Sequence, residues 1–587
     1  MLARRLGPAR QNIGRHDGQG TGGSNNKPAY SRERDEMQSK GTSRKDWRRK
    51  LVLVSAMLAG VATSAPVWAA NDGPVVKTIE GKVRGYTQDG VNIFLGIPYA
   101  APPVGKLRWM PPQPVKKWKG ALDATHYGNT CPQVTELGAF AGPASITEDC
   151  LYLNVFTTGK GKPNKKKPVI VWIHGGGNVD GESNDYDGSK LATGGPDGVP
   201  TVVVTINYRL GLFGFISNPA LNAEGHLWGN YGILDVQAVL RWVQRNIAQF
   251  GGDPTNVTLG GQSAGARDTT ANVLSPIAAG LFHRAILQSY PELNWNTADQ
   301  ILAKGKAFAA AAGCPQDASA KAAKCLRSLS AARILQLQGT PNANSPLASQ
   351  VFPDGTIIPM QPGEAWQSGR FNRMPIMTGI VRDEGNFGIA ISEYFSGPPQ
   401  AAMTPEQYAA AVTGAKAEQY PLSNYGNNPQ IAYGHVTTDP TACTALKAID
   451  LMSGYVPTYG YEFAYQNAPW YFPKMPGFQP LAAHTVDIQF LFPGYHGGNL
   501  GVNLDQATGQ PRDLNAAETK LSDKLVAAWT HFAKNGNPNG SGNSPWPKYK
   551  KNAPKLFSQN IPQSTAYSAA QYSADHKCDF WNAPPTQ

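Results

Sequence analysis

The 587-residue sequence holds no Cys-x-x-Cys pair, and its ten histidines include no His-x-x-x-His spacing, so the usual zinc-ligand patterns are missing. Outside one apolar run near the N-terminus, no stretch approaches the roughly 20 apolar residues a membrane helix needs. Charge is sparse at 16% of residues, and it is unevenly placed. Thirteen Lys/Arg against five Asp/Glu in residues 1–50 carry +8 of the formal +12, leaving a nearly balanced body. That balance excludes a phosphate-tracking surface and gives no case for nucleic acid as a partner. The lysine-rich KGKPNKKKP (160–168) reads as a solvated loop before a strand. What is abundant is apolar residues at 41%, with 63 Gly and 47 Pro, the composition of a globular chain with many turns and long loops.

The leader has its own pattern. SRKDWRRK (43–50) precedes the uncharged LVLVSAMLAGVATSAP and then VWAAND. A charged region, an apolar run of about 15 residues and small residues where a peptidase would cut are the marks of a secretory signal. Cleavage is expected after Ala69 or Ala70, so that 1–70 is leader and 71–587 a single domain. Residues ahead of the run are polar and Gly-rich. Either Met37 is the true start or the leader is unusually long, and Arg48-Arg49 leaves a twin-arginine route open. The chain is therefore read as exported, periplasmic or secreted. In that setting the even count of cysteines (131, 150, 314, 325, 443 and 578) favours disulfides, although six cysteines allow 15 pairings.

Along the body, β-rich runs alternate with helical spacing, which predicts a mainly parallel sheet covered by helices. KPVIVWIHGGG (167–177), TVVVTINYRLG (201–211) and NVTLGG (256–261) read as strands. DVQAVLRWVQRNIAQF (235–250) reads as a helix stopped by Gly251-Gly252. AETKLSDKLVAAWTHFAKNG (517–536) reads as another, with Leu521, Leu525, Ala528, Trp529 and Phe532 on one face.

Within this pattern, GQSAG (261–265) fits Gly-x-Ser-x-Gly between a short β run and the helix-compatible ARDTTANVL (266–274). Small neighbours allow the sharp turn that lifts Ser263 above a sheet, which makes it the candidate nucleophile. A serine hydroxyl needs a base, an acid to orient the base, and donors for a developing oxyanion. HGGG (174–177) ends an earlier strand, and its glycines leave backbone N–H groups uncovered. Gly176, Gly177 and the N–H of Ala264 are the candidate oxyanion donors. A structural glycine loop and a pyrophosphate cradle are the alternatives, but the loop fits neither nucleotide-cradling glycine pattern, which favours the oxyanion role.

FLGIPYAAPPVGKLRWMPPQP (94–114), TEDCLYLNVF (147–156), NYRLGLFGF (207–215), GNYGILDVQAVLRWVQRNIAQFGGDPTNVTLGGQSAGA (229–266), LFHRAILQS (281–289), RDEG (382–385) and CDFWN (578–582) follow one another in order. With VWIHGGG they resemble the type-B carboxylesterases of the α/β-hydrolase fold. That group includes cholinesterases, bile-salt-activated lipases and bacterial para-nitrobenzyl esterases. The resemblance covers essentially all of the body. It implies a large mostly parallel central sheet with helices on both faces, long loops, disulfides, and hydrolysis of a small-molecule carboxylic ester through an acyl-enzyme, with no cofactor and no metal.

The resemblance also implies the remaining site residues. The acid is Glu384 in TGIVRDEGNF (378–387), which on its own would read as a solvated loop carboxylate. The base is His484 in AHTVDIQFLF (483–492), with His496 in GYHGG as its rival. Ser263, Glu384, His484 is the chain order this fold uses. The implied disulfides are Cys131 with Cys150, Cys314 with Cys325, and Cys443 with Cys578.

Several positions depart from the family pattern. Gln262 stands where an acidic residue usually precedes the nucleophile, Asn178 replaces an aromatic after HGGG, Ala266 and Arg267 follow the elbow glycine, and Asp487 replaces a glutamate. Arg267 reads as an ion-pair partner or a binder of acidic substrates. No tryptophan lies between Cys131 and Cys150, so cation–π capture of choline lacks its platform. Tyr290 and Trp295 are candidates for an acyl pocket or for core packing. An amide, carbamate or lactone substrate and a non-catalytic binding module are the alternative functions.

Overall fold

Along Lys167–Ile173, Val169, Val171 and Ile173 belong to one buried cluster while Ile170 and Trp172 belong to another. This period of two is what a strand covered on both faces requires. In the computed structural model, the described residues are 73–134, 142–159, 166–289, 291–339, 347, 350–397, 400–494, 502–540 and 545–583. All of them belong to one compact unit, residues 69–587. The leader with its cleavage site, most of KGKPNKKKP, Tyr290 and His496 lie outside the described residues.

Among the described residues, eleven strands build the central sheet. In chain order they are β1 (Tyr86–Gln88), β2 (Val91–Pro98), β3 (Tyr152–Thr157), β4 (Lys167–Ile173), β5 (Val202–Ile206), β6 (Gly252–Gln262), β7 (Arg284–Gln288), β8 (Ile376–Val381), β9 (Thr458–Phe463), β10 (Lys555–Gln559) and β11 (Thr565–Ser568). Across the sheet they run β11-β10-β9-β8-β7-β6-β4-β5-β3-β2-β1. The pairs from β5 through β4, β6, β7, β8 and β9 to β10 are parallel, and the four at the margins are antiparallel. The α/β fold with a mostly parallel sheet is therefore observed. In the parallel core, β5, β8 and β9 are buried at every residue, which explains the mainly apolar runs of β5 and β8.

Five helices flank this sheet and bear on the site: α1 (Tyr231–Asn246), α2 (Ala264–Leu274), α3 (Asn386–Phe395), α4 (Pro429–Ser453) and α5 (Ala516–Asn535). α1 and α2 pack in the cluster that holds Val169 and Val171, and α5 packs in the other, against Ile170 and Trp172. α5 starts at a capping box, Asn515 with Glu518, and stops at Gly536 in the left-handed region, φ 77°. Its expected apolar face is buried, and Trp529 is 1% exposed. Burying each such side chain contributes about 1.5–3 kcal/mol. α1 differs from expectation. It begins at Tyr231 and ends at Asn246, where the Asn246 side chain accepts from Ile79 N at 2.9 Å and donates to Glu80 at 2.9 Å. The remaining turn tightens to a 3₁₀ helix, Ile247–Phe250, before Gly251.

Cys131–Cys150, Cys314–Cys325 and Cys443–Cys578 are disulfide-bonded. Among the described residues, no helix is long and apolar enough to cross a membrane. β4, β6, β7 and β8 are mutually parallel, so the segments after their C-terminal ends meet along one edge of the sheet. Those segments are HGGG, Ser263, Ser289 and the Glu384 loop.

Candidate active site

Ser263 occupies a single-residue elbow between β6 and α2, with φ 56° and ψ −124°. A non-glycine residue there carries about 1–3 kcal/mol of strain, so its surroundings must impose the conformation. They do so by hydrogen bonds and close packing. Ser263 N donates to Gln288 O at the end of β7, 2.8 Å, and Ser263 O accepts from Ala266 N and Arg267 N at 2.9 and 3.1 Å. A Cβ on Gly261 would lie 2.5 Å from the Gly265 carbonyl carbon, and one on Gly265 would lie 2.1 Å from Ile173 O. The two glycines flanking the serine are thus required by the approach of α2 to β6 and β4.

HGGG lies against the elbow, since a Cβ on Gly175 would stand 3.2 Å from Ser263 Cβ. Gly176 has φ 101°, and a side chain there would meet Asp180 O at 2.2 Å. The N–H groups of Gly176 and Gly177 donate to no described residue. Ala264 opens α2, where N–H groups have no intrahelical acceptor. His174 is buried, stacks on Tyr208 at 4.6 Å, and its carbonyl accepts from the Tyr208 hydroxyl at 3.1 Å. Burial pushes its imidazole down to about 4, against the Gly175 carbonyl, so it is a neutral packing group.

Glu384 follows β8, and its Oε1 accepts from Val381 N at 3.0 Å. Its Oε2 accepts a hydrogen bond from His484 Nδ1. The two loops are tied side by side by Asp383, whose N donates to Ala482 O and whose Oδ2 accepts from Ala482 N, each at 3.0 Å. Gly385 is a steric requirement, because a Cβ there would lie 2.0 Å from Thr437 Oγ1 on α4. Phe387 on α3 covers the imidazole at 5.5 Å.

The second imidazole nitrogen departs from expectation. His484 Nε2 accepts from the Gln262 side-chain amide at 3.2 Å, and among the described residues no hydrogen bond joins it to Ser263 Oγ. Glu384 and His484 are thus directly joined, while Ser263 reaches the pair through the residue before it. In unliganded sites such hydrogen bonds are often long and tighten only with substrate.

Contacts not legible in the sequence surround these groups. Gln288, whose carbonyl holds Ser263 N, also donates to Asp487 in the histidine loop at 2.9 Å and accepts from Trp529 at 3.1 Å. One glutamine thereby links the elbow, the histidine loop and α5. Burial pushes Asp487 up to about 6, opposed by that Gln288 amide. Asn178 Nδ2 donates to Asp268 Oδ1 and Oδ2 at 3.0 and 2.9 Å. Burial pushes Asp268 up to about 7, opposed by Asn178, Arg267 and Tyr208. Arg267 pairs with Glu292 at 2.8 Å, and Trp295 packs in the core. The repeated glutamine and asparagine identities beside the motifs were the available signal, but their partners lie far away in sequence.

This arrangement can be set beside known proteins. A model of the carboxylesterase family matches residues 72–581. The chain belongs to the carboxylesterase family. This carboxylesterase is 33% identical over 572 residues to the fatty acyl-CoA hydrolase precursor, medium chain, of Anas platyrhynchos, covering 90% of this chain and 95% of that one. It is 35% identical over 564 residues to carboxylesterase 1D of Mus musculus, covering 86% and 92%. A solved PNB esterase superposes with a TM-score of 0.68 at 30% identity, covering 86% of this chain and 99% of that one. A thermophilic PNB esterase gives 0.67 at 31% identity, covering 86% and 100%. The carboxylesterase is a carboxylic ester hydrolase of the α/β-hydrolase fold.

Proposed function

We propose that this carboxylesterase cleaves small-molecule esters by an acyl-enzyme route in which Ser263 is the nucleophile, His484 the base and Glu384 the orienting acid. The observation that carries the reading is the imidazole of His484, bound to a carboxylate on Nδ1 and facing the Gln262–Ser263 elbow on Nε2. With Nδ1–H donated to Glu384, Nε2 holds the lone pair a base needs. Substrate binding exchanges the Gln262 amide for the Ser263 hydroxyl at that nitrogen. Oγ attacks the ester carbonyl as its proton passes to His484, and Glu384 stabilises the imidazolium. The oxyanion is received by the N–H groups of Gly176, Gly177 and Ala264, where losing one donor costs a factor of about 100–1000 in rate. His484 returns the proton to the departing alcohol. Water then repeats the attack on the acyl-enzyme and releases the acid.

The same proposal takes residues 71–587 as one catalytic domain and 1–70 as an export leader. Three disulfides support an oxidising destination, periplasmic or secreted. Mass spectrometry of the N-terminus of exported protein should place the cut after Ala69 or Ala70. The chemistry is tested by hydrolysis of a para-nitrophenyl acyl ester, abolished in Ser263→Ala, with organophosphate labelling traced to the Ser263 peptide. Label on another residue removes the nucleophile assignment. An amide and carbamate panel alongside defines the bond preferred.

A further inference from the structure

Asn178 immediately follows the three glycines of the oxyanion loop, is fully buried, and has φ 61°, a left-handed conformation that favours glycine. Its backbone is fixed on one side, where its carbonyl accepts from Gly211 N at 2.6 Å. Its side chain reaches the other way, across to α2, where both oxygens of the buried Asp268 carboxylate accept from Nδ2 at 3.0 and 2.9 Å. Asp268 stands five positions beyond Ser263 and four beyond Ala264 on the same rigid helix. Gly177 is adjacent to one end of this link, and Ala264 is one helical turn from the other. The two halves of the proposed oxyanion hole come from segments distant in sequence, and this pair of buried hydrogen bonds joins them. The adjacent Arg267, held by Glu292, also aims a guanidinium nitrogen at Asn178 Oδ1, 3.5 Å away.

We infer that Asp268 is a positioning residue: through Asn178 it fastens the oxyanion loop to the nucleophile helix and sets the alignment of the Gly176 and Gly177 N–H groups with that of Ala264. This rests on the reading of those three groups as oxyanion donors. The oxyanion exists in the transition state and not in the bound ester, so loosening the loop lowers kcat while KM changes little. Asn178 and Asp268 are both departures from the family pattern or adjacent to one, and here they answer each other.

The test compares wild type with Asn178→Ala, Asp268→Ala, Asp268→Asn and the double alanine variant of the mature protein on a para-nitrophenyl acyl ester. Each single alanine variant should lower kcat about 10- to 100-fold, part of the loss expected when a donor is misaligned. KM should stay within about threefold, and affinity for a trifluoromethyl ketone transition-state analogue should fall in step with kcat. The double variant should be no worse than the poorer single one by more than about threefold, since the two residues act as a unit. Asp268→Asn, which keeps an acceptor oxygen, should recover most of the rate. The inference is overturned if kcat and analogue affinity stay within twofold of wild type, or if the two losses multiply. Lowered thermal stability with kcat intact also overturns it, leaving a purely structural pair. Should Asp268→Ala fail to fold, Asn178→Ala and Asp268→Asn decide. Ser263→Ala run in parallel separates the two levels: retained activity there sinks the parent reading, whereas abolished activity with unaffected clamp variants sinks the clamp alone.

Discussion

His484 and His576 are both held by buried carboxylates, and they are built for opposite ends. His484 sits at the sheet edge with 14% of its side chain exposed, Nδ1 on Glu384 and Nε2 on a neutral amide. His576 is 3% exposed, with Nδ1 on Asp439 at 3.0 Å and Nε2 on Glu462 at 2.7 Å. Burial alone would lower His576, but the hydrogen bonds and charges of the two carboxylates outweigh it and push the imidazole up to about 9. Glu462 is correspondingly held below the ordinary carboxylate range in spite of its burial, by His576 and by Arg382 at 3.0 Å. Both nitrogens of His576 carry protons and both are spoken for, so it has no lone pair to offer. A carboxylate beside an imidazole therefore does not make a base. The neighbour of the second nitrogen decides, and Arg382, two residues before Glu384, connects the structural cluster to the back of the acid loop.

The two histidines should answer to mutation in opposite ways. Ser263→Ala or His484→Ala should lower kcat by about 10⁶-fold, and Glu384→Gln by about 10⁴-fold through the wrong tautomer. Steady-state kinetics on a para-nitrophenyl acyl ester, with thermal unfolding as a control, should find the fold intact in each. His576→Ala should do the reverse. It strands two buried carboxylates and should cost about 3–5 kcal/mol of stability, read by urea unfolding, with kcat of the folded fraction within about threefold of wild type. A kcat collapse in a well-folded His576 variant would merge the two sites and end the distinction.

A subtler separation uses pH. The folded value of His576, about 9, lies above the ordinary 6.5. Its contribution is then fully present below pH 6.5 and is lost as pH rises through 9, because the folded state holds a proton that the unfolded chain has already released. A shift of this size corresponds to about 3 kcal/mol, counted once for the histidine and its carboxylates together. Asp268, Glu292 and Asp487, all pushed up by burial, contribute stability that is lost as pH rises through about 6 to 7, and they do so in both proteins alike. The difference in urea midpoints between wild type and His576→Gln should therefore narrow from pH 6 to pH 9. A constant difference would mean that the His576 proton is not bound more tightly in the folded state.

How far the sequence was legible depends on the range of each interaction. The apolar runs of β4, β5 and β6, the glycine stop of α5 and the elbow around Ser263 are written in neighbouring residues, and they appear where expected. The resemblance to known esterases singled out Glu384 and His484, which lie 100 positions apart and touch. Nothing local announced Asn178 with Asp268, His576 with Asp439, or Gln262 with His484, separated by 90, 137 and 222 positions. Each is a polar side chain whose partner is selected by sheet order and loop path. A run of residues carries no record of that choice. For the same reason α1 ended early: the partners of Asn246 sit on the N-terminal segment, at Ile79 and Glu80.

At the second nitrogen of His484, a change of partner should move the rate only modestly. Gln262 is 1% exposed, and its amide donates to His484 Nε2, the atom proposed to take the Ser263 proton. In the proposed mechanism that hydrogen bond stabilises the resting enzyme and is exchanged before attack. A hydrogen bond of this kind contributes about 0.5–1.5 kcal/mol net, which corresponds to roughly a 2- to 12-fold factor in rate. Gln262→Met keeps the length and bulk of the side chain and removes the donor. It should raise kcat/KM by up to that factor while leaving the Ser263→Ala background inactive. A fall in kcat/KM instead would show that the amide holds the imidazole in its working orientation, and that His484, like His576, depends on partners at both nitrogens.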